Sequence, residues 1–192
     1  MKKITNPFSH LLFTLVVFIL GAGVLLAGYR CFYQAAYPLR YQEVVEENSV
    51  RSGMEEAVLY AVIRTESSFQ PDAESSVGAL GLMQITPDTL SWVRYRLGEP
   101  GAVDARTVLL DPEQNIFYGS QTLALLLEEF GTLENALAAY HAGWGNVTRW
   151  LADSQYSSDG KTLTTIPFGD TRAYVSKVME TAETYRRLYH FS

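Results

Sequence analysis

The sequence has few residues that could bind a metal ion or form a disulfide. It contains one cysteine, Cys31, and three histidines, His10, His141 and His190, in 192 residues. A single cysteine excludes an internal disulfide, and the three histidines show no metal-ligand spacing. The sequence therefore predicts no disulfide and no metal site, and nothing in it implies a cofactor.

The chain also lacks an excess of basic residues. It has 15 lysine and arginine residues against 21 aspartate and glutamate residues, a formal net charge of −6. Residues 1–30 hold three basic residues and no acidic ones, so residues 31–192 are still more negative than the whole chain. An acidic domain of this kind argues against nucleic acid as a partner.

Charged residues are absent from one long apolar stretch, Leu11 to Gly28. These 18 residues are long enough for a transmembrane helix, and bulky residues follow where a signal peptidase requires small ones, which favours an uncleaved anchor. Because Lys2 and Lys3 precede the stretch, the positive-inside rule predicts a single-pass protein of the cytoplasmic membrane with its C-terminal part on the extracytoplasmic side. We predict a cytoplasmic tip and anchor at residues 1–30 and a juxtamembrane linker at residues 31–40.

The alternation of apolar and polar residues that is typical of β-strands is nearly absent after residue 40, with short strands expected only near residues 160–167. Helical periodicity dominates instead. It covers residues 41–50, 54–69, 87–98, 111–131, 132–143, 144–153 and 171–191. The sequence therefore predicts an all-α (α-dominated) fold, with one compact helical domain at residues 41–192 after the transmembrane helix.

The second of these helical segments carries a carboxylate on its apolar face. Val58, Val62 and Glu66 are spaced i, i+4 and i+8, and Leu59 and Ile63 lie beside them. A carboxylate packed against aliphatic groups has a raised pKa, which is the property that a general acid needs at neutral pH. An isolated glutamate in this position more often caps a turn or pairs with an arginine, so the neighbouring motifs decide its interpretation.

Four motifs occur in order along the domain. They are Glu66-Ser67, Gly81-Leu82-Met83-Gln84, Ala139-Tyr140-His141-Ala142-Gly143, and Ile166-Pro167-Phe168 followed by Asp170-Thr171-Arg172-Ala173-Tyr174-Val175. With these motifs the chain resembles the catalytic domain of the soluble lytic transglycosylase family, which shares its fold with goose-type lysozyme. The resemblance runs from about residue 41 to residue 189. Each motif alone is a weak signal, but four of them in this order are specific.

The resemblance implies a lysozyme-like helical domain in which Glu66 is the single catalytic acid/base of a peptidoglycan lytic transglycosylase. Such an enzyme cleaves the β-1,4 bond between N-acetylmuramic acid and N-acetylglucosamine. The muramoyl 6-hydroxyl closes on C1 to give a 1,6-anhydro ring, so no second carboxylate is needed. The implied partners are peptidoglycan glycan strands and the membrane, and the sequence does not identify which cell-envelope proteins are partners. The predicted substrate-binding residues are Ser75, Gly81, Met83, Gln84, Tyr140, Asp170 and Tyr174.

Two positions depart from the family pattern. His141 stands where asparagine is usual, and Asp170 stands where glutamate is usual, so both bear on the rate and the pH optimum. The three tryptophans lie among aliphatic residues at helical spacing and are expected mainly in the core. Of these, Trp144 is the best candidate for stacking on a sugar ring.

Two other interpretations stay open at this point. A hydrolytic lysozyme on the same fold would need a positioned water and usually a second acid, for which Asp72 and Asp170 are the candidates. An inactive cell-wall-binding module would have no need of a buried acid, so the presence of Glu66 with Gln84 and Tyr140 argues against it.

Overall fold

The structure is a computed structural model that describes residues 7–99, 101–189 and 191. The chain divides after Pro38 into two compact units. His190, Lys2 and Lys3, which entered the sequence analysis, lie outside the described residues.

The first unit consists of one long helix, α1 (Pro7–Ala36). Its stretch Leu11–Ala36 has a mean hydropathy of 2.6 and none of it is buried, so by length and composition it could cross a membrane. The helix continues through residues 31–36, which we had predicted to be linker. Its end at Ala36 comes two residues before Pro38, whose ring disfavours a helical conformation in the residue before it.

The second unit is helical almost throughout. Isolated bridges pair Glu74 with Leu80 and Leu80 with Ile85, and no strand forms at residues 160–167, where short strands were expected. The all-α prediction is therefore confirmed, and one short helix, α5, was not predicted. The helices are α2 (Gln42–Ser52), α3 (Glu56–Ser67), α4 (Pro87–Arg96), α5 (Ala105–Leu110), α6 (Pro112–Phe130), α7 (Leu133–Ala142), α8 (Trp144–Leu151) and α9 (Gly169–Tyr189).

Side-chain caps explain where four of these helices begin. In each case an oxygen of the residue before the helix accepts a hydrogen bond from a backbone N–H of the first turn, which otherwise has no partner. Prolines in the first turns of α4 and α6 supply a backbone already suited to a helix start. The four caps are Thr86 for α4, Asp104 for α5, Asp111 for α6 and Thr132 for α7.

Helix α3 is the centre of the domain. All seven residues from Ala57 to Ile63 are at most 2% exposed, so the helix is enclosed on every side rather than along one stripe. Helix α9 packs along it, and α2 also contacts it. The Arg186 guanidinium donates to both carboxylate oxygens of Glu55 at 2.7 Å, a paired contact that ties α9 to the start of α3. This packing holds the last turn of α3, which carries Glu66, in a fixed place.

Candidate active site

Glu66 lies in the last turn of the buried helix α3. The helix ends one residue later, because Ser68 and Phe69 take left-handed backbone conformations with φ of 52° and 65°. Glu66 is partly exposed, although the residues one and two turns before it are buried. The sequence therefore directs a carboxyl group out of the end of the core toward solvent.

Burial raises the pKa of Glu66 to about 7, and the nearby hydroxyl of Tyr174 and charge of Lys177 oppose this rise. The elevated pKa keeps a large share of the carboxyl protonated at neutral pH, as a general acid requires. Lys177 was not among the predicted site residues. It lies three positions after Tyr174 on α9, so helical spacing alone could have placed the two on the same face.

Two tyrosines from different helices lie beside Glu66. The pKa values of Tyr140 on α7 and Tyr174 on α9 are raised by burial and by the charge of Glu66. The Tyr140 hydroxyl donates to the carbonyl of Met83 at 2.7 Å. The Tyr174 hydroxyl is buried and forms no hydrogen bond of standard geometry within the described residues. The structure thus brings together three of the residues that the motifs predicted, from α3, α7 and α9.

The segment between α3 and α4, which accepts the Tyr140 hydrogen bond, folds back on itself. Leu80 and Ile85 exchange backbone hydrogen bonds of 2.9 and 3.1 Å, and the N–H of Gly81 donates to the carbonyl of Ala73 at 2.8 Å. The side-chain amide of Gln84 donates to the carbonyls of Ala73 and Gly81 at 3.1 and 3.0 Å. The amide nitrogen of Gln84 therefore braces this turn, which leaves the amide oxygen as its candidate group for a ligand.

Asn115, at the start of α6, holds the same turn by hydrogen bonds. It was not identified from the sequence. It is fully buried, and its amide donates to the carbonyls of Leu80 and Leu109 at 2.9 and 2.8 Å. Its carbonyl accepts from the N–H of Met83 at 2.7 Å. No local pattern could have identified these contacts, because Asn115 is 32 residues from Met83.

Gly81 and Met83 have mainly structural contacts in this turn. Gly81 has φ of +75°, and a Cβ atom added there would lie less than 3.0 Å from the Leu109 carbonyl and the Asn115 side chain. The Met83 side chain is fully buried and fills the space beside Gly119 on α6. Met83 therefore contributes to the site in this structure through its backbone carbonyl rather than through an exposed apolar surface.

Ser75 and Asp170 make local hydrogen bonds, and Asp170 lies one turn before Tyr174 on α9. The Ser75 hydroxyl accepts from the N–H of Ala79 at 3.0 Å within a tight turn. Asp170 is exposed at the start of α9, and its carboxylate accepts from the N–H of Thr171 at 2.8 Å. Neither acts on the pKa of Glu66, in contrast to Tyr174 and Lys177.

A groove of about 370 Å³ adjoins Tyr140 and Gln84 and runs between α4, α6 and the start of α8. Trp144 is 49% exposed at one wall of the groove, and Trp92 lines it from α4. The expectation that the tryptophans lie in the core is confirmed for Trp150, which is 7% exposed. It was wrong for Trp92 and Trp144, which both line the groove. Aromatic walls with polar Thr86, Asp88 and Thr89 between them are a suitable surface for a sugar chain.

The arrangement suits proton transfer. A carboxyl group with a pKa raised to about 7 lies beside the phenols of Tyr140 and Tyr174, and Tyr140 also lines the groove. The described residues contain no cluster of three or more histidine, cysteine, aspartate or glutamate side chains that could hold a metal ion.

The raised pKa of Glu66 predicts a dependence of stability on pH. The folded chain binds this proton more tightly than an unfolded chain with the ordinary value of 4.5. The resulting stabilisation is complete below about pH 4.5 and is lost as the pH rises through about 7. We therefore compare the free energy of unfolding of Glu66→Gln with that of wild type at two pH values. The difference is expected to shift in favour of the variant by up to about 3 kcal/mol as the pH rises from about 4 to about 8. Chemical denaturation at the two pH values measures the gain.

The control for this prediction is Glu180→Gln, which removes an exposed carboxylate from α9. It measures how the loss of one negative charge alone changes the free energy of unfolding. An equal gain in the Glu66 and Glu180 variants would show that burial of Glu66 is not the cause.

Comparison with known proteins gives consistent matches. Residues 43–163 match the family model of the Transglycosylase SLT domain. The chain is 35% identical over 152 residues to the soluble lytic murein transglycosylase of Escherichia coli (strain K12), which is 78% of this chain and 23% of that protein. It is 33% identical over 168 residues to membrane-bound lytic murein transglycosylase C of Yersinia pestis (strain Pestoides F), 77% of this chain and 47% of that protein.

Solved structures show the same similarity. The 70 kDa soluble lytic transglycosylase of Escherichia coli superposes with a TM-score of 0.70 at 31% identity, over 81% of this chain and 25% of that one. An inactive glutamate-to-glutamine mutant of the lytic transglycosylase Slt from Pseudomonas aeruginosa gives 0.69 at 30% identity, over 83% of this chain and 26% of that one. The chain thus spans about a quarter of the length of the soluble relatives and less than half that of the membrane-bound one.

Proposed function

Because the chain belongs to the Transglycosylase SLT domain family, we propose that it is a membrane-anchored peptidoglycan lytic transglycosylase. The observation that carries the proposal is Glu66, a carboxyl group with a pKa raised to about 7 by burial, which lies beside the phenols of Tyr140 and Tyr174. Tyr140 connects it to a groove with aromatic walls. The relatives named as lytic murein transglycosylases support the same activity.

Glu66 acts first as the acid and then as the base. Its protonated form donates to the oxygen of the β-1,4 bond between N-acetylmuramic acid and N-acetylglucosamine, and the C1–O bond breaks. The carboxylate so formed accepts the proton of the muramoyl 6-hydroxyl, whose oxygen bonds to C1. The product is a 1,6-anhydro ring, Glu66 is protonated again, and no water is consumed.

The surroundings of Glu66 favour this single-acid mechanism over a hydrolytic one. Burial raises the pKa of Glu66, and no neighbouring carboxylate contributes to the rise, as a second acid close by would. Asp72 and Asp170, the candidate second acids, are both exposed. Hydrolytic glycosidases usually place a second carboxylate across the scissile bond to bind the sugar or activate a water.

The groove gives a place for the glycan strand. Tyr140, which lies beside Glu66, lines the groove together with Gln84, Trp92 and Trp144. Sugar rings stacked on these indoles would bring a scissile bond to the carboxyl. Ser75 and Asp170 do not line the groove, and we assign to them contacts with the substituents that a peptidoglycan strand carries beyond its sugar rings.

The anchor is helix α1, and it holds the domain at the outer face of the cytoplasmic membrane. Its apolar surface is exposed over Leu11–Ala36. Near its end Tyr29, Phe32 and Tyr37 each pack their rings against Tyr33. Aromatic side chains are typical of the membrane–water interface.

We expect protease added to intact spheroplasts to digest the domain that follows α1. A tag fused before Met1 is expected to stay protected until the membrane is permeabilised. Protection of the domain and digestion of the tag would reverse the orientation.

The products of the reaction test the proposed function. We would incubate the full chain in detergent with purified peptidoglycan and determine the masses of the released muropeptides, with Glu66→Gln as the control. Anhydromuramoyl products, each lighter by one water than its hydrolytic counterpart, are expected from the wild type only. Products with a free reducing end would indicate a lysozyme. Binding to peptidoglycan without any product would indicate a wall-binding module.

A further inference from the structure

His141 lies next to the acidic centre, directly after Tyr140 at the end of α7. Its imidazole ring packs on the ring of Tyr174, with centroids 4.5 Å apart and planes at 32°. Its Nδ1 atom lies 3.1 Å from Oγ1 of Thr171, within hydrogen-bond distance. His141 is exposed, whereas Thr171 and Tyr174 are buried. The imidazole therefore covers the solvent side of the first turns of α9.

The Tyr174 hydroxyl depends on such packing for its position. It is buried next to Glu66, but it forms no hydrogen bond of standard geometry within the described residues. Its interaction with the Glu66 carboxyl lowers the pKa of that group but falls outside this geometry, so a ring with room to move would turn the hydroxyl away from Glu66 toward water. The orientation of the phenol is thus set by what holds its ring, and His141 is the contact on the solvent side.

We propose that His141 is a positioning residue, whose ring, oriented by Thr171, holds the Tyr174 hydroxyl beside the carboxyl group of Glu66. Its described contacts are with Thr171 and Tyr174, so it acts on Glu66 through Tyr174. The proposal rests on the proposed function in that Glu66 is the catalytic acid, but the arrangement can be measured without substrate.

The direction of the effect follows from the groups around Glu66. Tyr140 faces it from α7, and Tyr174 and Lys177 face it from α9. Burial raises the pKa of Glu66, whereas Tyr174 and, to a smaller extent, Lys177 lower it. Loss of the His141 ring lets Tyr174 turn away, and the pKa of Glu66 then rises further.

Carbon-13 NMR of the full chain in detergent micelles tests this, with the label on the side-chain carboxyl of glutamate. The spectrum of Glu66→Gln identifies the Glu66 signal. His141→Ala and Tyr174→Phe are each expected to raise the titration midpoint of Glu66 by about 0.5 to 1 pH unit, the value of one modest hydrogen-bonding interaction. The double variant is expected to match Tyr174→Phe alone, because it has no hydroxyl left to position.

An unchanged midpoint in His141→Ala would overturn the proposal, as would a double variant whose shift is the sum of the two single shifts. His141→Phe keeps a ring on Tyr174 and is expected to restore a midpoint close to that of wild type. A Phe variant that titrates like the Ala variant would contradict the role of the ring. Glu134→Gln, an exposed change at the other end of α7, is the control.

If the alanine variant does not fold, His141→Asn replaces it in the test. Its amide can still bond to Thr171 but places no ring on Tyr174, so we expect a raised midpoint in this variant too. A wild-type midpoint would assign the role to the Thr171 hydrogen bond instead and overturn the proposal.

Activity on peptidoglycan, measured on the same samples, separates this proposal from the proposed function. If the Glu66 midpoints shift as expected but no glycan is cleaved, the proposed enzyme activity is refuted and the positioning role of His141 is supported. If glycan is cleaved but the Glu66 midpoint is the same in wild type and the His141 variants, the enzyme activity is supported and the positioning role is refuted.

Discussion

Glu66→Gln is expected to lower the rate of anhydromuropeptide release by about a thousandfold or more, because it removes the group that both donates and accepts the proton. Glutamine has nearly the same shape as glutamic acid but cannot transfer a proton, so binding to peptidoglycan should persist. The rate is measured from soluble muropeptides released by the full chain in detergent. In the related Slt of Pseudomonas aeruginosa, a glutamate-to-glutamine mutant is described as inactive.

The pH dependence of the wild-type rate gives a second measure of the same group. Glu66 must be protonated to begin the reaction, and burial raises its pKa to about 7. The rate should therefore fall as the pH rises through about 7, where an ordinary glutamate with a pKa of 4.5 would already be ionised.

Two carboxylate-to-amide changes serve as controls for Glu66→Gln. Glu180→Gln alters an exposed position on α9 and should keep the wild-type rate. Asp170→Asn alters an exposed group one turn before Tyr174 on α9 and should cost less than about tenfold, since it takes no part in proton transfer. A loss at Asp170 as large as that at Glu66 would contradict the single-acid mechanism and favour a hydrolase with two acids.

Gly81→Ala is expected to lower the free energy of unfolding by about 3 to 5 kcal/mol. The backbone there has φ of +75°, and the new Cβ would meet the Leu109 carbonyl and the Asn115 side chain at less than 3.0 Å. Asn115 has little freedom to move away, because it holds Leu80, Leu109 and Met83 by hydrogen bonds. Equilibrium denaturation of the full chain in detergent measures the loss.

Gly78→Ala is the matched control for this prediction. Gly78 has a similar φ of +79°, but a Cβ added there would meet nothing within 4 Å. Its expected loss is about 1 to 2 kcal/mol, the cost of the left-handed backbone alone. Equal losses in the two variants would show that the contact with Asn115 is not what makes Gly81 necessary.

Local chemistry determined the helices and the place of Glu66. Helix periodicity is a property of neighbouring residues, so the sequence alone predicted seven of the helices that follow α1. Capping side chains such as Thr86, Asp111 and Thr132 are equally local features. The spacing of Val58, Val62 and Glu66 likewise predicted an acid at the end of a buried helix. Helix α5 was missed, because six residues are too few to show a period.

Only the tertiary structure decided what surrounds Glu66. Met83 offers a carbonyl rather than an exposed side chain, and His141 covers Tyr174. These contacts join residues 30 or more positions apart, such as Met83 with Tyr140 and His141 with Thr171. The pattern along a helix specifies which residues share a face, but the packing of α3, α7 and α9 against one another specifies which side chains meet.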